Sequence, residues 1–229
     1  RRIEELVLSV NIIRPNTPNA VKFNVFARLN QGGMPLNAQE IRNAIFKGPW
    51  RDHIREMAES TSFLLATEGK IAKLRQQDME LVLRFIAHYQ IGMPFEREAN
   101  SNLDSFLNKT VEVVFPEWND SDWDIAKEGF YRAINNAHQL LGDNAFRKIG
   151  GNGNRPPINR GLFESQLLAL SVLSDSETET LLKKKKIVAS TIQKEINENQ
   201  DLAKSLTLST GSAKATRIRF QAMLDVLKR

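Results

Sequence analysis

The residues best equipped for chemistry lie in one stretch, 26–46, which reads FARLNQGGMPLNAQEIRNAIF. Its pattern predicts a helix, a double-glycine turn, and a second helix whose N-terminus faces back toward the first. Arg28 and Asn30 leave the end of the first helix, and Gly32 and Gly33 carry unshielded backbone. Glu40, Arg42 and Asn43 fall on the opening turns of the second. Backbone N–H groups at a glycine turn and at a helix N-terminus suit a phosphate, and Arg28 or Arg42 could grip its oxygens as a fork. The same residues also read as plain helix punctuation. On that reading Gly32 and Gly33 are only a C-cap, Glu40 is the capping-box partner of Asn37, and the arginines are solvated helix ends.

Four further sets carry polar chemistry. Arg75, Asp78, Glu80 and Arg84 lie on one predicted helix, where Glu80 and Arg84 are spaced to form an exposed i,i+4 pair. That set reads as structural support, or as an orienting device for the 26–44 stretch. The loop 150–157 (GGNGNRPP), with Arg147, Lys148, Arg155 and Arg160 around it, is a candidate DNA contact through phosphates. The lysine run 183–186 projects around a helix and has Glu177, Glu179 and Glu195 nearby, so it reads as a solvated face. His53, His88 and His138 are scattered without metal-ligand spacing. No Ser-His-Asp or Cys-His arrangement is present, and catalytic residues are expected to be none. Asp122 and Asp124 sit at a helix start, where they complement its dipole. Trp50, Trp118 and Trp123 are expected in the core or at its edge.

Helices must position these groups. Beyond the helix from Asn19 to about Gln31 and the one opening at Asn37, periodicity predicts helices over 50–60, 76–90, 101–113, 121–141, 159–173, 181–199 and 212–227. Gly142 stops the long 121–141 helix. Residues 1–13 alternate as a strand, with Leu6, Leu8, Val10 and Ile12 on one face. A lone strand cannot satisfy its backbone groups, so partner strands are expected upstream of Arg1.

Composition is that of a folded chain. The 229 residues are 41% hydrophobic and 26% charged, enough for a sizeable core. There is no cysteine, which excludes disulfides and thiolate metal sites and leads to an expected reducing, cytoplasmic setting. No apolar run reaches the roughly 20 residues of a membrane helix. Lys and Arg number 32 against 27 Asp and Glu, a net charge of +5 that permits a nucleic-acid partner without requiring one.

The run Phe-x-Arg-Leu-Asn-x-Gly-Gly-x-x-Leu-x-x-x-Glu-Ile-Arg-Asn-Ala, residues 26–44, resembles the signature of the N-terminal ParB/sulfiredoxin-like domain of GmrSD-type restriction and phage-defence proteins. Segments 75–87 (RQQDMELVLRFIA) and 106–108 (FLN), Phe146 with the run Pro157, Ile158, Asn159 before Phe163, and the closing 212–227 helix are similar to later parts of that family. The resemblance thus spans nearly the whole chain, with one specific motif. It implies a mainly α, multi-helix domain with one N-terminal β-strand left from a truncated ParB-like α+β core. Residues 1–48 would be the end of that core and 49–229 a helical domain, with a loop at 150–157. An upstream Asp-Gly-Gln-Gln-Arg motif carries much of the family's nucleotide binding and hydrolysis, and it does not occur here. The resemblance therefore implies a partial nucleotide-sensing domain in DNA restriction, without turnover of its own. Arg28, Asn30, Gly32, Gly33, Glu40 and Arg42 would form a second wall for a nucleoside triphosphate, with Mg in the full-length protein. Partners implied are DNA and a nuclease domain or subunit. The competing expectation is a non-enzymatic helical interaction or DNA-binding module that keeps the signature for packing.

Overall fold

A computed structural model describes residues 10, 12–29, 35–73, 75–95, 97–98, 101–148, 156–208 and 210–229. Twelve α-helices account for most of them, and there is no strand among the described residues. The fold is mainly helical, as the periodicity and the resemblance implied. The strand expected over 1–13 lies outside the described residues apart from Val10, Ile12 and Ile13.

The first pair of helices is α1 (Asn19–Leu29) and α2 (Ala38–Ile45), which pack on each other. Asn37 caps α2 as its spacing predicts. Its side chain accepts from the Glu40 backbone, and the Glu40 carboxylate accepts from the Asn37 backbone N–H at 2.6 Å. Helix α3 (Trp50–Glu59) ends where Ser60 caps α4 (Thr61–Thr67), a short helix that the apolar period did not reveal. Helix α5 (Gln77–Tyr89) packs on α3 and is buried on most of its circumference.

Asn102 caps α6 (Leu103–Lys109), which runs into a wide π-type turn at Thr110–Val114. Here the single helix expected over 101–113 changes its winding. Helix α7 (Asp120–Leu141) opens with an Asn119–Asp122 capping box and stops at Gly142, whose φ of +55° suits a residue without Cβ. Against it lies α8 (Arg160–Ser171), in which every residue from Gly161 to Ser171 is buried. A helix enclosed on all sides carries an apolar sequence, as 159–173 does, but this one also encloses Glu164 and Gln166.

The helix expected over 181–199 is two helices, α9 (Asp175–Lys183) and α10 (Lys185–Glu198). A Ser174–Glu177 capping box starts the chain winding earlier than the apolar period suggests, and the break falls at Lys184 inside the lysine run. The side chains of 183–186 are exposed, as expected. Asn199 caps α11 (Gln200–Ser205), and α12 (Ala213–Leu227) closes onto α8. One hydrophobic cluster joins Phe23, Ile41 and Phe46 of the first helices to Phe85, Phe130 and Phe163 deeper in the molecule. Trp50 and Trp123 are buried, and Trp118 packs at the edge against both Trp123 and Phe115. Among the described residues, no helix is long and apolar enough to cross a membrane.

Candidate functional site

Of the six residues nominated around the α1–α2 turn, Asn30, Gly32 and Gly33 lie outside the described residues. Arg28 is exposed in the last turn of α1. Arg42 is fully buried on α2 and bonded on all three nitrogens. Its Nε donates to Asn108 Oδ1 at 2.9 Å, Nη1 to Gln39 Oε1 at 2.5 Å, and Nη2 to Asp104 Oδ1 at 3.0 Å. Burial pulls its pKa below the ordinary arginine value, and Asp104 works in the opposite direction. The guanidinium is a bridge from α2 to α6, and it joins the signature to the 106–108 segment. With an acceptor at each nitrogen and no exposed surface, the fork offers a phosphate no open approach.

Glu40 is occupied in a similar way. Besides capping α2, its carboxylate stands 3.0 Å from Arg75 Nε, an ion pair without hydrogen-bond alignment. Arg75 also donates from Nη2 to Pro35 O at 2.6 Å, and its own carbonyl accepts from Asn37 Nδ2 at 2.7 Å. Asn43 Nδ2 donates to Gln76 Oε1 at 2.5 Å. The turn before α5 therefore holds the N-terminus of α2, the orienting role weighed for Arg75. A carboxylate and an asparagine already satisfy that terminus, so an anion approaching it meets Glu40. Beside these residues lies a cleft of about 370 Å³ between α1 and α6, lined by Asn24, Asn102, Asp104, Asn108 and Glu112. Its lining is rich in amides and carboxylates and holds one cation, Lys109.

The described residues do not fit a nucleoside triphosphate with its metal. Arg28 is the one nominated cation among them that is not built into the fold, and no group of three or more potential metal ligands occurs among them. The three histidines do not converge. His53 stacks on Trp123 at 4.3 Å, His88 is buried beside Phe106, and His138 lies in α7.

Around the 150–157 loop the candidate DNA contacts also part company. Arg147 is 3% exposed; it donates to Glu68 Oε2 at 2.7 Å and to Pro156 O at 2.6 Å. It fastens the far side of the loop to α4 rather than facing solvent. Lys148 is half-buried, and burial lowers its pKa. Arg160 is exposed, 3.7 Å from Glu80, and Arg155 lies outside the described residues.

A polar cluster barely visible in the sequence sits where α5, α8 and α12 meet. Glu164 and Arg219, each 1% exposed, pair at 3.2 Å, and Arg219 Nη1 donates to Ser205 O at 2.8 Å. A Cβ on Gly161 would fall 2.9 Å from Arg219 Cδ, so glycine there lets the arginine lie flat against α8. The Glu80–Arg84 pair, expected to be exposed, is only 12% exposed on each side because α5 packs against α8. His88 is fully buried, with Nδ1 2.8 Å from Arg84 O and Nε2 unpartnered. Burial holds its pKa below the ordinary value, against the pull of the Glu164 carboxylate. Burial alone would raise Glu164, but His88 first, then Arg219 and Arg84, outweigh it and hold its pKa below the ordinary carboxylate value. The sequence signals for this cluster are one acid and one glutamine inside an otherwise apolar helical run.

No family model, curated protein or solved structure matches this chain.

Proposed function

We propose that this chain is a non-catalytic helical module of a GmrSD-like restriction or phage-defence protein, in which the signature stretch serves mainly to fix α2 against the body. One observation supports the reading above the others: Arg42 is fully enclosed and bonded at each nitrogen, to Gln39, Asp104 and Asn108. The acid and the arginine that a nucleotide wall would need instead tie α2 to α6 and to the turn before α5. Of the described residues nominated for that wall, Arg28 alone is exposed.

Two readouts separate this reading from a nucleotide-handling wall. Incubation with ATP or GTP and Mg2+ is expected to release no phosphate above the blank. In the same protein, Arg28→Ala leaves Tm unchanged, whereas Arg42→Ala lowers it by roughly 10 °C. Phosphate release abolished by Arg28→Ala, or saturable nucleotide-dependent stabilisation lost in that variant, would instead establish the nucleotide wall.

A further inference from the structure

Arg97, between α5 and α6, is 8% exposed, and its charge has no ion-pair partner among the described residues. One nitrogen, Nη2, donates to the Gly211 carbonyl, while Nε and Nη1 are buried without partners. No carboxylate among the described residues lies within ion-pair distance of it. Glu164 attracts it from farther off, but that carboxylate is bonded to Arg219. The cluster thus sets three guanidiniums, Arg84, Arg97 and Arg219, against two carboxylates, Glu80 and Glu164. A buried cation with free donors is costly, and such groups are ordinarily met by a counter-charge.

Space for one exists. Arg97 lines a cleft of about 320 Å³ on the side of α6 away from Arg42, together with Ile91, Phe106, Val114, Lys109 and one carboxylate, Glu98. The guanidinium carbon lies over the Phe106 ring, 5.6 Å from its centroid. Lys109 at the rim is held only by an exposed pair with Glu98 at 3.1 Å, a contact easily exchanged for another anion. The volume is at the small end of ligand pockets, and its floor is apolar.

We propose that this cleft binds a small ligand carrying an oxyanion, a carboxylate or a phosphate monoester, on an apolar body. The oxyanion takes a free donor of Arg97, with Lys109 as the outer cation. The apolar part lies on Ile91, Phe106 and Val114. This site is independent of the role proposed for the signature stretch.

Calorimetry on the full chain with phenyl phosphate, benzoate and inorganic phosphate tests the assignment. Phenyl phosphate or benzoate should bind saturably and more tightly than inorganic phosphate, and the better of the two aryl probes identifies the oxyanion. Arg97→Leu should weaken that binding at least ~30-fold. Ile91→Trp, at a partly exposed position, should block the cleft without touching Arg97, and it decides the matter if Arg97→Leu does not fold. Absence of saturable binding by every probe, or binding unchanged in a folded variant of either kind, overturns the proposal.

Discussion

Two buried arginines face α6 from opposite sides, and their surroundings differ. Arg42 meets two amide oxygens and a carboxylate, one for each nitrogen, whereas Arg97 meets a single carbonyl and an aromatic face. Both are enclosed by protein, so burial alone separates neither. What separates them is whether the fold supplies a counter-charge. A buried charge that is fully bonded acts as a strut; one left with free donors beside a cleft has a reason to be there that the fold does not provide. The signature stretch, which first looked like the ligand site, contains the strut.

The strongest way to break this contrast is to truncate each arginine. Arg42→Ala leaves Asn108, Gln39 and Asp104 without their donor and should cost about 3 kcal/mol in chemical denaturation. Arg97→Leu should be neutral or stabilising, since it removes a charge without stranding one. Equal losses in the two variants would erase the distinction.

A titration sharpens it next. Burial holds the His88 pKa below its ordinary 6.5, so as pH falls through that value the unfolded chain takes up more protons than the folded chain. Stability is then complete above that pH and falls as pH drops through it, by up to about 1.4 kcal/mol per pH unit. His53, lowered first by burial, acts in the same direction. Thermal melts of His88→Gln between pH 7.5 and 5.5 should show a flatter slope than the parent; an unchanged slope would place the acid sensitivity elsewhere. The smallest effect belongs to the signature's own cap. Glu40→Ala removes half of the α2 capping box and the Arg75 pair, and denaturant unfolding should register a loss of about 1 kcal/mol. A loss comparable to that of Arg42→Ala would mean that Glu40 does more than cap.

Much of the helical order was legible because it depends on local rules. Asn37 with Glu40, Asn119 opening α7 and Gly142 ending it are determined by capping chemistry and backbone sterics, which act over a single turn. Ser60, Ser174 and Asn199 obey the same rules, and giving their capping weight alongside the apolar period would have recovered α4, α9 and α11. The Glu80–Arg84 spacing was also visible, but not its enclosure, because exposure depends on which helix packs over the pair.

The sequence by itself therefore determined a mainly helical chain with a cysteine-free, apolar core, and it marked residues 26–44 as the stretch where polar groups gather. Only the tertiary structure decided what those groups do. Arg42 finds Asp104 and Asn108 more than sixty positions away, and Glu164 meets Arg219 across 55. Helical periodicity fixes the face on which a side chain stands, but the partner on that face comes from the packing of remote segments, and for a buried charge the partner determines the role.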